Sequence, residues 1–326
     1  MAFRLLSLGF RALCLALWCT SVLAGSAFAW GCKGHQIVAL IAERHLTPEA
    51  RQYLEALLQD NPADPQLKRY CGNFAGSLLA DASTWPDDVR NTRKNGPWHY
   101  IDIPRHAPQR PLDTYCGDSG CVTRAISEQL AILENPHAEP NLRAEALRYI
   151  VHFVGDLHMP LHASTNNDQG GNCVPVSFLG TSPQKHNHSY SPNLHSIWDT
   201  SILEHDMNGA DPQTFADELE KKFRRNLGSW QKAGVHMDRW TWESHNLAES
   251  LAYGKLHPKD AVETPVEVRS CSDDNNVGER LLQMHFTVDE KYQKAAAPLV
   301  EKRVAQAGIR LALILTEAVN AAQKAH

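Results

Sequence analysis

Beyond residue 30, runs with apolar residues at helical spacing alternate with short polar breaks. Between His35 and Arg44, the positions Ile37, Val38, Leu40 and Ile41 predict a short helix. Thr47-Pro48-Glu49 starts the next, with Thr47 as N-cap, Pro48 at the first helical position and Glu49 in the first turn. Its apolar face uses Tyr53, Leu54, Leu57 and Leu58, and the Asn61–Pro65 stretch breaks it. Phe74 to Ser83 reads as helix and leads into Trp85-Pro86-Asp87-Asp88-Val89-Arg90. Residues 91–121 are rich in Pro, Gly and Asn and read as loop, interrupted at Trp98 to Asp102. Helical spacing returns from Val122 to Leu133 and from Leu142 to Leu161. Residues 170–193 form another loop, with Val174 to Phe178 as the one strand-like run, and Asn193 to Asp199 opens a helix. Helical patterns follow at Pro212 to Phe223, Arg239 to Tyr253, Asn276 to Phe286 and Leu299 to Ala322. With so little alternation, the fold class is all-α: a single multi-helix domain over residues 30–326 with long functional loops.

One apolar run carries polar groups that need an explanation. Tyr149 to His162 reads as one buried helix holding His152, Asp156 and His162 among Ile150, Val151, Phe153, Val154, Leu157, Met159 and Leu161. His152 and Asp156 stand four residues apart, so their side chains share a face. On a continuous helix His162 would lie about 80° to the other side of His152, giving an arc of about 120°. Ionisable groups in such surroundings need partners, because burying them unpaired is costly. On this helix alone, a hydrogen-bonded core pair and metal ligation fit equally well. His158, four residues before His162, points further from His152 and reads as outside the ligand set. Pro160 is expected to kink or end the helix near this point.

Length and composition (326 residues, 43% hydrophobic, 21% charged) supply ample core for a globular enzyme-sized unit. Residues 1–29 have the form of a secretory signal: Arg4 and Arg11, an apolar run from Ala12 to Leu23, and Ala27-Phe28-Ala29 as cleavage site. That run is too short for a comfortable membrane span, and no later stretch reads as one. A soluble secreted or periplasmic protein without stable membrane association is expected. Cleavage would leave Trp30 first, with an α-amine of pKa about 7.7–8.0 that can chelate a metal together with its own carbonyl. Loss of the leader's two arginines takes the formal charge from −5 to −7. No Lys/Arg block of the kind that binds nucleic acid non-specifically is read in the chain, so an anionic substrate needs another attraction.

Six cysteines remain after the leader: Cys32, Cys71, Cys116, Cys121, Cys173 and Cys271. An even count in an exported chain favours disulfides over thiolate ligands, although six cysteines permit 15 connectivities. Cys116 and Cys121 bracket a tight Gly-containing loop and are assigned to each other. Pairing Cys32 with Cys71 and Cys173 with Cys271 is a guess among the alternatives. Asn187-His188-Ser189 is a glycosylation sequon, meaningful only where exported proteins are glycosylated.

All seventeen histidines lie beyond residue 29, and an informative subset is grouped with aspartates. Asp87 and His99 flank a loop, His152 and Asp156 lie i,i+4, and His195 and Asp199 repeat that spacing. Imidazole and carboxylate without thiolate suit catalytic zinc. There is no H-E-x-x-H, so a zincin protease is not indicated.

Taken together, these motifs resemble the trinuclear-zinc nucleases of the S-one/P-one type, and more distantly the zinc-dependent bacterial phospholipases C. The likeness rests on Trp30-Gly31-x-x-Gly34-His35, Trp85-x-Asp87-x-x-Arg90, His99-Tyr100-Ile101-Asp102 and Cys116-x-x-x-x-Cys121. It continues through His152-x-x-x-Asp156-x-x-x-Pro160-Leu161-His162, Gly170-Gly171-Asn172 and Asn193-Leu194-His195-x-x-Trp198-Asp199, in family order. The resemblance implies a cleft holding three Zn²⁺. One site would use Asp87, His99 and His152; a second the Trp30 amine and carbonyl with His35; Asp156 would bridge these two. The third would use His162, His195 and Asp199. Three Zn²⁺ against three aspartates leave about +3, which would supply the attraction for phosphate.

The implied activity is that of an endonuclease and 3′-nucleotidase cleaving single-stranded DNA and RNA to 5′-phosphate products. Water activated by the paired metals would attack phosphorus, with the third zinc at the departing 3′-oxygen. Catalytic roles fall by resemblance to Asp87, His152, Asp156 and Arg90, the last on a phosphate oxygen. Tyr100 would stack on a base, Asp102 would hydrogen-bond its edge and Asn172 would contact substrate; stacking requires an unpaired base. Tyr100 as ordinary packing and Arg90 as a surface charge remain the plain alternatives. The sequence favours a nuclease over a phospholipase C through Asp199, Gly170-Gly171-Asn172 and the Tyr100/Asp102 pair. A non-catalytic exported metal-binding protein is the alternative from another class. Base preference and oligomeric state are not legible.

Overall fold

The structure, a computed structural model, describes residues 30–186, 189–256, 271 and 277–324. The leader at 1–29, the first two residues of the sequon and the expected helix start at Asn276 lie outside the described residues.

The fold is all-α, as the periodicity requires. Helix α1 (Cys32–His45) is followed by α2 (Pro48–Asp60), whose N-cap Thr47 accepts a hydrogen bond from the Ala50 amide at 3.2 Å. The expected helix over 74–83 is shorter: α3 (Leu78–Ala82) begins after Ser77, whose hydroxyl accepts from the Ala80 amide and caps it. Short helices α4 (Trp85–Asp88) and α5 (Arg90–Arg93) lead to a 3₁₀ turn over Gly96–His99. A second such turn, Leu112–Tyr115, interrupts the long loop before α6 (Val122–Glu134).

Helix α7 (Pro140–His158) is the structural centre, packed against α6, α11 (Met237–Leu247) and the C-terminal helix α13 (Glu290–Lys324), and touching α1 to α4. From Ala146 to His158 every residue is buried, the mark of a helix with neighbours on all sides. The expectation of one helix from Tyr149 to His162 is corrected. Met159 is extended (φ −82°, ψ 121°) and His162 sits on a separate 3₁₀ turn, Pro160–Ala163. Proline disfavours the helical conformation in the residue before it, which ends α7 one residue earlier.

Further expectations change. Of Val174 to Phe178 only β1 (Ser177–Phe178) is strand, paired in parallel with β4 (Thr287–Val288), and a small hairpin of β2 (Gln184–His186) and β3 (Ser189–Ser191) stands beside it. These are two- and three-residue strands, too short to show an alternating pattern. Helix α10 (Pro212–Lys232) extends well past Phe223 and exposes Lys221, Lys222, Arg224 and Arg225, a basic run where none was expected. Helix α13 is long and apolar enough to cross a membrane by length and composition, again contrary to expectation; 72% of its most apolar window is buried inside the protein, mainly against α1, α10 and α7.

All six described cysteines are paired: Cys32–Cys71, Cys116–Cys121 and Cys173–Cys271. The assigned short loop and the guessed pairs are those present. They fit an oxidising compartment, and they leave no thiolate to ligate a metal.

Candidate metal centre

The histidines and aspartates singled out in the sequence converge from six segments onto one side of α7. Three groups have ligand atoms within 4.8 Å of one another: His35, His152 and Asp156; Asp87, His99 and His152; and His162, His195 and Asp199. His152 thus adjoins both of the first two groups.

Three of the five imidazoles are oriented by backbone carbonyls from other segments of the chain. Nδ1–H of His152 donates to the Ser83 carbonyl at 2.7 Å, so the end of α3 aims Nε2 at the cluster. Nδ1–H of His162 donates to the His99 carbonyl and that of His195 to the Gly170 carbonyl, both at 2.7 Å. Fixing the proton on Nδ1 leaves Nε2 with a lone pair, the state a metal needs. His35 stacks on His152 with centroids 3.9 Å apart. Gly155 permits this: a Cβ there would come within 2.9 Å of His35 Nδ1. The fully buried Trp30 is anchored on the same helix, its indole N–H donating to the Gly155 carbonyl at 2.7 Å, while its own carbonyl accepts from the His35 amide at 3.2 Å.

Asp156 lies between the groups. Its Oδ1 is 3.3 Å from His35 Nε2, whereas Oδ2 is 3.1 Å from His99 Nδ1 and 3.3 Å from His152 Nε2. Asp87 Oδ1 is 3.7 Å from both His99 and His152. In the third group, Asp199 Oδ2 is 3.1 Å from His195 Nε2 and Oδ1 is 3.8 Å from His162 Nε2. The i,i+4 pair His195/Asp199 is carried by α8 (Leu194–Ser196), capped by Asn193, and the π-helical turn Ile197–Ser201.

This donor set fits a metal better than a network of hydrogen bonds. Both oxygens of Asp156 and of Asp199, and Oδ1 of Asp87, are buried and accept no well-formed hydrogen bond despite those nearby nitrogens. The nitrogens of His99 and His152 face each other at 3.0 Å, and those of His162 and His195 at 3.2 Å. Donors at about 2.0–2.2 Å from a shared tetrahedral ion would stand about 3.3–3.6 Å apart, close to these spacings. Groups pointed at a common centre rather than at one another are what ligation produces.

The electrostatics of these side chains agree. Burial pushes the Asp87 carboxyl up to about 7, against the pull of His152. Burial holds His99 and His162 down to about 3, outweighing Asp156. His152 resists burial because Asp156 and Asp87 raise it to about 9, and in turn His152 helps hold Asp156 well below the usual carboxylate range despite burial. Burial also raises Asp199, while His195 is raised because Asp199 outweighs its burial. A cation entering here must displace protons, so uptake is coupled to pH.

The remaining residues singled out in the sequence are placed as follows. Arg90, partly buried at the start of α5, exerts its charge on Asp87, His99, His162 and His195. Tyr100 and Asp102 are partly exposed on either side of buried Ile101, whose amide donates to the His162 carbonyl at 2.8 Å. Asn172 is turned back on its own loop, donating to the Gln169 carbonyl at 2.8 Å. His158 belongs elsewhere: it donates to the Val154 carbonyl and accepts from Arg310 at 3.0 Å, on the α13 side of the helix.

Sequence reasoning missed the orienting carbonyls of Ser83, His99 and Gly170, since backbone acceptors leave no side-chain signal. It also missed the support behind α7. Ser244 donates to the Leu157 carbonyl at 2.6 Å and Arg303 to the His158 carbonyl at 3.1 Å, holding the helix end from which the chain turns to His162.

A family model described as S1/P1 nuclease matches residues 30–320. Nuclease S1 of Aspergillus oryzae is 29% identical over 303 residues, covering 90% of this chain and 93% of its own. Nuclease P1 of Penicillium citrinum is 28% identical over 298 residues, with 88% and 97% covered. Endonuclease 3 of Arabidopsis thaliana is 26% identical over 323 residues, with 95% and 97% covered. The matched span begins at the buried tryptophan and takes in all three His/Asp groups, and on that ground the chain belongs to the S1/P1 nuclease family, a hydrolase of phosphodiester bonds.

Proposed function

We propose that the chain is a zinc-dependent endonuclease and 3′-nucleotidase that cleaves single-stranded DNA and RNA and leaves 5′-phosphates. The observation that carries this reading is the placement of Asp156, with one carboxylate oxygen toward His35 and the other toward His99 and His152. That is the arrangement a carboxylate shared by two ions requires. Asp87, His99 and His152 would hold one zinc, Trp30 and His35 a second with Asp156 between them, and His162, His195 and Asp199 a third. An all-nitrogen-and-oxygen donor set suits zinc in a catalytic role. Bound there, the ions would supply Lewis acidity for the phosphate and for the attacking water.

The chain's own residues do the rest. The Ser83, His99 and Gly170 carbonyls keep the imidazoles in the ligating tautomer. Arg90 binds a non-bridging phosphate oxygen, as its guanidinium suits. Tyr100 stacks an unpaired base while Asp102 accepts from the base edge, and Asn172 exchanges its loop hydrogen bond for one to substrate. Burial of the His/Asp donor set would keep bulk water from competing with the phosphate for the ions. Release of the leader after Ala29 in a secreted or periplasmic protein would free the Trp30 amine.

Metal analysis of processed protein, paired with hydrolysis of single-stranded DNA, RNA, a 3′-mononucleotide and phosphatidylcholine, tests the reading. Three zinc ions with cleavage of the first three substrates are expected. Lipid hydrolysis without nucleic acid cleavage, or full zinc occupancy without any phosphoesterase activity, would overturn it.

A further inference from the structure

Asp168 is a fully buried carboxylate outside all three His/Asp groups. Its Oδ1 accepts from the Gly171 amide at 2.9 Å, the Asn166 amide at 3.2 Å and the Tyr253 hydroxyl at 3.0 Å; Oδ2 is 3.2 Å from the same hydroxyl. The turn wrapped around it is strained. Asn167 and Gln169 adopt φ of 57° and 56°, and Gly170 and Gly171 follow at 59° and 85°. Left-handed conformations at two non-glycine positions cost about 1–2 kcal/mol each, so the turn persists only because something holds it. At Gly170 a side chain is further excluded, since a Cβ would lie 2.6 Å from the Leu161 carbonyl oxygen.

That turn reaches the site through two carbonyls: Gly170 takes the Nδ1 proton of His195 at 2.7 Å, and Gly171 accepts from the His195 amide at 3.3 Å. The donor behind Asp168 is itself fixed. Tyr253 closes the π-helical turn Ala248–Tyr253, its ring is covered by Arg105 at 4.9 Å, and Arg105 is paired with Glu249 at 3.0 Å. Arg105 also donates its amide to the Thr165 carbonyl at 2.9 Å, at the head of the same turn.

We infer that Asp168 is a positioning residue for the third metal site: by holding the 166–171 turn it fixes the Gly170 carbonyl, which fixes the tautomer of His195 and so presents Nε2 to the ion. The inference rests on the three-site reading given above. Partners of ligating histidines change metal affinity by about 10–100-fold when removed, and Asp168 acts one step behind such a partner.

The test compares Asp168→Ala, Asp168→Asn and His195→Ala in the processed, metal-loaded protein. Metal content is measured after dialysis against graded chelator, and the His195 ring nitrogens are followed by ¹⁵N NMR. Asp168→Ala should weaken one of three metals by about tenfold, leave the other two unchanged and shift the His195 tautomer signal. Asp168→Asn, which keeps an acceptor for the two amides, should restore most of that affinity, and His195→Ala should empty the same site. If His195→Ala costs one metal while Asp168→Ala keeps all three at wild-type affinity, the inference fails. Should Asp168→Ala release all three together, the role is only structural and the inference fails too. Should it prove unstable, Tyr253→Phe, which removes one donor to Asp168, is expected to weaken the same single metal and shift the His195 signal, and wild-type behaviour of that variant overturns the inference. If His195→Ala retains every metal, the three-site reading itself is wrong.

Discussion

Gly155→Ala separates the demands of the helix from those of the site. Glycine inside α7 gives up about 1 kcal/mol of helix propensity relative to alanine, a cost the structure accepts where the His35 ring lies against the backbone. A Cβ at 155 would stand 2.9 Å from His35 Nδ1 and 3.1 Å from Cε1, and 3.7 Å from the Trp30 ring. Ordinary contact begins near 3.4 Å, so the His35 ring must retreat by roughly 0.5 Å, the whole tolerance of a preorganised ligand. Overpacking costs about 1–3 kcal/mol, and the propensity gain offsets about 1 of it. Net destabilisation should therefore be about 0–2 kcal/mol, while metal affinity on the His35 side of Asp156 falls by about tenfold or more. Urea unfolding gives the first quantity and metal counting against a chelator the second. Unchanged metal content and activity would refute the argument that His35 is seated through this glycine; so would a loss of stability beyond about 4 kcal/mol, a cavity-sized effect.

Further predictions concern charge and processing. Asp156→Asn should weaken two metals together, because its two oxygens face different groups; loss of a single metal would count against sharing. A protein retaining one extra residue before Trp30 should bind one metal more weakly, and identical metal content would exclude the terminal amine as a ligand. Glu243, held below the usual carboxylate range because Arg310 and Arg303 outweigh its burial, contributes stability that is complete above the unfolded value and lost as pH falls through the folded one. Glu243→Gln leaves buried Arg303 and Arg310 without their anion and should cost about 3–5 kcal/mol near pH 7. The gap to wild type should narrow below about pH 4.5; a gap constant from pH 3 to 7 in thermal or urea unfolding would disprove that assignment.

The residues that sequence made legible are those forced to stand out from their surroundings. His152 and Asp156 interrupt the apolar run from Ile150 to Leu157, and Asp199 repeats the spacing after His195. The Thr47 cap was readable because capping chemistry is local. His162 was placed on the wrong element, although Pro160 carried the warning: the continuous apolar pattern masked a change from α-helix to 3₁₀ turn. The orienting carbonyls and the Asp168 turn depend on segments far apart in the chain, and nothing at residue 168 except its glycine neighbours announces a buried anion. The short strands fell below the length at which alternation has meaning.

The packing of α1 on α13 has a consequence for the order of events during biosynthesis. The first helix, which brings Trp30 and His35 to the centre, finds its main support in α13, far along the chain. Closing so long a loop is entropically unfavourable until both partners exist. A nascent chain therefore carries Asp156, His162 and Asp199 well before the helix that α1 packs on most is available, and a product ending ahead of α13 lacks that support. Competence to take up metal on the His35 side is therefore expected only once α13 has been made.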